Sequence, residues 1–176
     1  AVREGAEAVM LSGETATGKY PKLVVETMTK IILEGEQKAY DYDREEMLKP
    51  QSKSPSFLSD AICYNACKLA LDTSANGIIG MTQSGYTGFM LSSYRPKSFL
   101  YIFTKEKSLV NQLSLSWGVR AFFYDEEESL DDIFFDQIDI LKERGFITTG
   151  DVLVSTGSTP VHLHLPTNVI KIGTVE

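Results

Sequence analysis

The order of apolar and polar positions in residues 56–176 predicts strands that alternate with helices. Short apolar runs indicate buried strands, and the segments between most of them carry apolar residues at helical spacing. The predicted strands are NGIIGMT, SFLYIFT, VRAFFYD, DVLVST and NVIKIGT. This alternation is typical of an α/β fold, and it predicts a mostly parallel open sheet of about five strands with helices on both faces.

Both ends of this pattern carry additional signals. Ahead of the first strand, an apolar stripe at helical spacing predicts a helix through Leu58, Ile62, Ala66 and Leu69. Ser56 is placed to cap that helix by accepting a backbone N–H of its first turn. The last two strands are joined by a segment too short for a helical crossover, so one of them is expected to be antiparallel.

Residues 1–55 show a different pattern. GAEAVMLSG, residues 5–13, predicts a buried strand, and the apolar positions after Pro21 predict a helix that runs to about Tyr40. DYDREEMLKPQSKSPS is polar and contains two prolines, which is typical of a domain boundary. The sequence therefore predicts two structured parts, residues 1–40 and 56–176, joined by a linker at 41–55.

Composition narrows the functional classes. The chain has 176 residues, of which 43% are hydrophobic and 23% charged, as expected for a globular chain with a core. A net charge of -7 disfavours binding to nucleic acid. No apolar run approaches the roughly 20 residues of a membrane-spanning helix, so no membrane partner is expected. The first residue is not Met, and the pattern begins abruptly, which suggests a piece of a longer protein.

The loop after the first strand of residues 56–176 has the composition of an anion site. TQSGYTG lies at the predicted carboxyl end of that strand, where parallel α/β sheets bind ligands, and it leads into a helix. The first N–H groups of a helix lack partners within it. Gly85 allows close approach of the backbone, and Thr82, Ser84 and Thr87 add hydroxyl donors for a phosphate. The alternative is that Thr82 and Ser84 only cap the helix.

Three further groups of residues have structural interpretations that are favoured over chemical ones. Cys63 and Cys67 share one helical face, and we expect buried free thiols. His162 and His164 are expected on one face of a strand, and two ligands are too few for structural zinc. The acidic run at residues 125–132 is expected to begin a helix, where negative charge meets the positive end of the helix dipole.

One N-terminal stretch carries a family resemblance. GAEAVMLSGETATGKYP closely resembles a signature of pyruvate kinases, with matches at residues 10–16, Gly18, Tyr20 and Pro21. In that family the signature forms the last strand of a catalytic (β/α)8 barrel and the start of its last helix. The remainder, with YRPKSFLYIFT, VRAFFYD and GDVLVSTG, is similar to the family's C-terminal regulatory domain. The resemblance covers nearly the whole chain.

The resemblance also assigns a role to the loop. In regulated pyruvate kinases a Thr-x-Ser-Gly-x-Ser/Thr loop binds a phosphate of a sugar-phosphate effector, often fructose 1,6-bisphosphate. The corresponding candidate residues here, which we call the 82–87 loop, are Thr82, Gln83, Ser84, Gly85, Tyr86 and Thr87. Gln83 and Tyr86 occupy the variable positions.

Two departures from the family pattern bear on the effector. Bisphosphate-responsive members often have a basic residue where Tyr86 stands, and they have a longer Gly/Arg/Pro loop before the last strand. This chain has STGSTP there, without arginine, and the candidate second effector loop comprises Ser155, Thr156, Gly157 and Ser158. A monophosphorylated sugar or nucleotide therefore fits better than a bisphosphate. An unregulated enzyme whose loop holds only adventitious sulfate is the alternative.

The resemblance implies phosphoryl transfer from phosphoenolpyruvate to ADP, giving pyruvate and ATP, with Mg2+ and K+ in the full-length enzyme. The family keeps its catalytic and metal-binding residues earlier in the barrel. We therefore expect no catalytic residue, no metal and no bound cofactor in this chain, which should be inactive alone. Ser12, Glu14 and Thr15 are candidates for the active-site rim, although a structural turn is the favoured interpretation.

The expected partners are a phosphorylated small molecule, the enzyme's own N-terminal barrel and three further subunits of a cytoplasmic homotetramer. A rival hypothesis is a stand-alone phosphate-sensing module without kinase activity. The barrel signature near the N-terminus argues against the rival, because a free module has no use for one barrel strand.

Overall fold

The chain divides into two compact units, Ala1–Met47 and Leu48–Glu176. A computed structural model describes residues 1–39, 49–125, 129–163 and 165–176. Tyr40, the predicted end of the first long helix, and residues 41–48 of the predicted linker lie outside the described residues. The two units are described separately below.

The N-terminal unit is helical in its described part. A 3-10 turn at Val2–Glu4 is followed by a short helix, α1 (Gly13–Ala16), and a long one, α2 (Pro21–Ala39). Pro21 begins α2 as predicted. The predicted strand at residues 5–13 is wrong, because a strand needs hydrogen-bonded neighbours and the described part of this unit provides none.

The second unit alternates strands and helices as predicted. Its described elements are α3 (Phe57–Asp72), β1 (Gly77–Met81), α4 (Tyr86–Ser93), β2 (Phe99–Thr104), α5 (Lys107–Leu113), β3 (Val119–Phe123), α6 (Leu130–Glu143), β4 (Val152–Gly157), a 3-10 turn (Val161–Leu163) and β5 (Val169–Thr174).

The strands form one five-stranded sheet in the order β3-β2-β1-β4-β5. β1, β2, β3 and β4 are parallel, and β5 runs antiparallel to β4, with Ile170 opposite Thr156. The α/β fold class and the antiparallel closing strand are therefore confirmed. β2 and β3 lie on one side of β1 in the sheet, and β4 and β5 lie on the other. The connections after β1 and β4 thus diverge, and this divergence opens a crevice at the carboxyl ends of the two strands.

Alternating residues of the central strands build a core on each face of the sheet. Ile78 packs with Leu91 of α4 and Leu113 of α5, whereas its neighbour Ile79 packs in the cluster that contains Ile133 of α6. Helices therefore cover both faces, as predicted. Burial of each such Ile or Leu side chain contributes roughly 1.5–3 kcal/mol of transfer free energy. The two clusters therefore stabilise the strands whose carboxyl ends form the crevice.

The cysteines are free thiols, as expected. Cys63 is fully buried among apolar residues, and Cys67 is half-buried on the same helix. Burial raises the pKa of Cys63 to about 12 and raises that of Cys67 as well. Both thiols are therefore protonated at neutral pH and act as small apolar side chains.

Candidate functional site

A cavity of about 1030 Å³ opens at the carboxyl ends of β1 and β4. It lies where the chain topology opens the crevice. The polar residues around it come from the start of α3, the 82–87 loop and the segments that follow β2, β3 and β4. They include Ser56, Ser59, Thr82, Gln83, Ser84, Tyr86, Thr87, Lys105, Ser129, Ser158, Thr159, His162 and Thr167.

Glycine at position 85 allows the loop to turn into α4. Gly85 has φ 87° and ψ -12°, a left-handed conformation, and it is the residue that precedes the helix. Its N–H donates to Thr82 Oγ1 at 3.0 Å, and the N–H of Tyr86 lies 3.4 Å from Ser84 Oγ. Thr82 therefore occupies the Gly85 amide, which is the helix-capping role that the sequence left open.

Some backbone and hydroxyl groups of the loop can still donate to a ligand. No described residue accepts a hydrogen bond from the backbone N–H of Ser84 or Thr87. Thr82 Oγ1 accepts from Gly85 and retains its own hydrogen for donation. Ser84 is exposed and can donate in the same way. Since the amides of Gly85 and Tyr86 are directed at hydroxyls of the loop itself, two amides and two hydroxyls remain as possible donors to an anion.

A segment after β4 is fixed beside this loop. Thr87 Oγ1 and Thr167 Oγ1 are 2.7 Å apart in a buried hydrogen bond. Asn168 closes the base of the segment, because its side chain accepts from the Thr159 N–H at 2.9 Å and donates to the Thr159 carbonyl at 2.8 Å. The 82–87 loop and this segment therefore form adjoining sides of one cavity.

Only two of the four residues of the candidate second effector loop line the cavity. Ser155 and Thr156 are buried within β4, and the Thr156 hydroxyl donates to the Ile79 carbonyl at 3.1 Å. Gly157 and Ser158 line the cavity. The prediction that His162 lies on a strand is wrong, because residues 161–163 form a 3-10 turn between prolines that lack donors for a β-ladder. His164 lies outside the described residues.

The start of α3 contributes a buried carboxylate that sequence reasoning missed. Asp60 is only 7% exposed and accepts hydrogen bonds from Ser56 Oγ at 2.9 Å and from the Tyr86 hydroxyl. Ser56 was expected to cap α3, but its side chain makes no capping bond and instead donates to the Asp60 carboxylate. One signal was present in the sequence, since an acidic residue stands inside an apolar helical stripe.

Positive charge around the cavity is sparse. Among the described lining residues, Lys105 is the only lysine or arginine, and His162 is the only histidine. No group of three His, Cys, Asp or Glu side chains in the described ranges could hold a metal ion. The described helices also include none that is both long and apolar enough to cross a membrane.

The candidate rim residues belong to the N-terminal unit, where Ser12 precedes α1 and Glu14 and Thr15 lie within it. The Ser12 N–H donates to Glu14 Oε2 at 2.9 Å, and the Thr15 hydroxyl donates to the Ser12 carbonyl at 3.1 Å. Backbone N–H groups, its own first and then that of Ser12, lower the pKa of Glu14.

The acidic run begins a helix, as expected for its described part. Ser129 Oγ caps α6 by accepting from the Asp132 N–H at 3.3 Å, and Asp131 and Asp132 lie in the first turn. Residues 126–128 lie outside the described residues.

The fold is that of an α/β domain with a cavity at its topological switch point. Residues 60–173 match the family model described as the pyruvate kinase alpha/beta domain. The chain belongs to the pyruvate kinase family.

Its relatives extend the match to the N-terminal unit. The pyruvate kinase of Clostridium acetobutylicum is 34% identical over 176 residues, which cover 100% of this chain and 37% of that protein. The pyruvate kinase of Staphylococcus haemolyticus is 33% identical over 173 residues, or 98% of this chain and 29% of that protein. The chain thus spans about a third of the length of these relatives.

Proposed function

We propose that this chain is the C-terminal regulatory and oligomerisation part of a cytoplasmic, homotetrameric pyruvate kinase, and that the 82–87 loop binds the phosphate of a phosphorylated effector. In the full-length enzyme the reaction is phosphoryl transfer from phosphoenolpyruvate to ADP. The observation that supports effector binding is the cavity at the switch point, with the loop and the start of α4 on one side. The relatives match residues 1–47 as well, which favours an enzyme part over a stand-alone module.

The chemistry of the loop suits one phosphate. The hydroxyls of Thr82 and Ser84 and the amides of Ser84 and Thr87 all donate, and the start of α4 adds the positive end of a helix dipole. Each hydrogen bond to a charged phosphate is worth about 1.5–3 kcal/mol. Several such bonds hold a monophosphate without an arginine.

The sparse positive charge favours a monophosphate over a bisphosphate. Among the described lining residues, only Lys105 offers a lysine or arginine charge, and a second phosphate needs a cationic partner of its own. The favoured effector class is therefore a sugar or nucleotide that carries a single phosphate.

Catalysis requires groups that the described residues do not provide. The Mg2+ and K+ that pyruvate kinase chemistry uses would need several oxygen ligands, and the described residues offer no suitable group of three metal-binding side chains. No catalytic step is assigned to this chain. Its proposed role is to bind the effector and to present subunit contacts to the assembled enzyme.

The test is calorimetric titration of the chain with inorganic phosphate, fructose 6-phosphate and AMP. Ser84→Ala removes one proposed donor from an exposed position, and we expect it to weaken binding of the probe that binds by about tenfold. Ser114→Ala is the matched control, because the Ser114 hydroxyl is exposed and bonds only locally, to the Val110 carbonyl at 2.9 Å. Equal affinities in all three proteins, or no binding by the unaltered chain, would contradict the effector proposal.

A further inference from the structure

The buried carboxylate of Asp60 lies behind one side of the cavity. Asp60 is bonded to the hydroxyls of Tyr86 and Ser56, and both of these residues line the cavity. Ser54 Oγ lies 3.4 Å from the same carboxylate. No described Lys, Arg or His forms an ion pair with Asp60. Its charge is compensated by hydroxyl donors and by its place in the first turn of α3.

This arrangement restricts the direction of two hydroxyl groups. An ionised carboxylate only accepts hydrogen bonds, so Tyr86 and Ser56 each donate in their bonds to Asp60. Ser56 Oγ also shares a hydrogen bond of 2.8 Å with Ser54 Oγ, in which either hydroxyl can donate. Burial, and then the hydrogen bond to Asp60, raise the pKa of Tyr86, which keeps the phenol protonated. What remains for a ligand is the oxygen lone pairs of Tyr86 and Ser56 that neighbouring hydroxyls do not occupy. We call Tyr86 Oη and Ser56 Oγ the acceptor side of the cavity.

The two sides of the cavity therefore differ in chemistry. The 82–87 loop offers N–H and O–H donors, which suit phosphate oxygens. The acceptor side offers lone pairs backed by a carboxylate, and these suit the hydroxyl or amine hydrogens of a ligand. A second phosphate would bring acceptors and negative charge to a surface that already has both.

We propose that Asp60 is a specificity-determining residue: by orienting Tyr86 and Ser56, it selects a ligand with one phosphate and several hydroxyl or amine donors, and it disfavours a bisphosphate. The inference rests on the proposed function, because it takes the 82–87 loop as the phosphate subsite. The ligand class it specifies is a polyhydroxylated or aminated monophosphate, such as a sugar monophosphate.

The test compares fructose 6-phosphate with fructose 1,6-bisphosphate, which differ only in the second phosphate. We expect calorimetry on the unaltered chain to show at least about tenfold tighter binding of the monophosphate. Asp60→Asn keeps the side-chain shape, but its amide donates, so a neighbouring hydroxyl turns its hydrogen toward the cavity. We expect this variant to reduce the preference by about tenfold. Asp72→Asn, at the other end of α3, makes the same charge change and should leave the preference unaltered.

A second variant addresses the acceptor side without changing charge. Tyr86→Phe removes the oxygen and keeps the ring of a residue that is 39% exposed. We expect fructose 6-phosphate to bind about five- to tenfold more weakly, with affinity for inorganic phosphate unchanged, since phosphate alone contacts only the loop. Circular dichroism spectra establish that each variant is folded, and Tyr86→Phe decides the question if Asp60→Asn does not fold.

The outcomes separate this inference from the proposed function. An unaltered chain that binds neither inorganic phosphate nor either sugar phosphate contradicts both. An unaltered chain that binds the two sugar phosphates equally contradicts only the role of Asp60. The role of Asp60 is also contradicted if folded Asp60→Asn keeps the preference for the monophosphate, or if Asp72→Asn changes that preference as much as Asp60→Asn does. It is contradicted as well if Tyr86→Phe leaves the affinity for fructose 6-phosphate unaltered.

Discussion

At the scale of single residues, Gln137 is a buried amide without compensation. It lies on α6, its side chain is fully buried, and neither Nε2 nor Oε1 has a hydrogen-bond partner among the described residues. Desolvating an amide without replacing its hydrogen bonds costs about 1–3 kcal/mol. Gln137 therefore lowers the stability of the second unit.

Gln137→Met tests this cost. Methionine has nearly the same length and no strong polar group, so we expect the free energy of unfolding to rise by about 1–2 kcal/mol in urea denaturation. Gln112→Met on the exposed side of α5 is the control, and it should change stability by less than about 0.5 kcal/mol. A loss of stability in Gln137→Met would show that the amide is hydrogen-bonded in solution.

Sequence reasoning named the 82–87 loop, including Tyr86, but missed the contact of Tyr86 with Asp60. Thr82, Ser84 and Gly85 stand together in a short loop after a strand, and this local arrangement is visible in the sequence. Asp60 is separated from Tyr86 by 26 positions, and only the packing of α3 against α4 brings them together. The capping role assigned to Ser56 was wrong for a local reason, since its hydroxyl donates to Asp60 one helical turn away.

At the scale of elements, the start of α4 depends on Gly85. A Cβ at this position would lie 2.8 Å from Leu109 Cδ1 and 2.8 Å from Phe89 Cε2, and φ of 87° is unfavourable for other residues. A side chain there disturbs the packing of α5 as well as the loop. Substitutions of Gly85 are therefore expected to lower the stability of the fold, so they cannot isolate an effect on ligand binding.

Gly85→Ala is expected to lower the free energy of unfolding by about 2–4 kcal/mol, because it combines left-handed strain with a close contact. Gly118→Ala separates the two causes, since Gly118 has φ 69° but a Cβ added there would meet no atom within 4 Å. It should cost only about 1–2 kcal/mol. Equal costs for the two variants in urea denaturation would mean that the contacts with Leu109 and Phe89 relax freely.

The elements of the second unit were predictable because each one carries its own local pattern. Residues 99–104 are almost entirely buried in a parallel sheet, and their continuous apolar run shows this. Residues 5–13 contain the apolar run AVML and yet form no strand. A strand is stabilised by its neighbours, and neighbours are a property of tertiary structure that the run itself does not encode.

At the scale of the whole molecule, the chain spans about a third of the length of its pyruvate kinase relatives, and we propose that it is the regulatory part of such an enzyme. Phosphoryl transfer depends on metal ions and positioned charges. We therefore expect no pyruvate from the purified chain with phosphoenolpyruvate, ADP, Mg2+ and K+, under conditions in which the Clostridium acetobutylicum enzyme is active. Pyruvate formation that persists through repeated purification would contradict the assignment as a non-catalytic part.

Amide NMR spectra of the chain during titration with inorganic phosphate show directly whether the 82–87 loop binds phosphate. Sodium chloride at equal ionic strength is the reference, and the Gly150 amide, already bonded to the Val175 carbonyl at 2.8 Å near the amino end of β4, is the internal control. We expect saturable shifts that are largest at the amides of Ser84 and Thr87, with Gly150 unaffected. Shifts at Ser84 and Thr87 no larger than that of Gly150, or equal to those caused by chloride, would contradict phosphate binding by the loop.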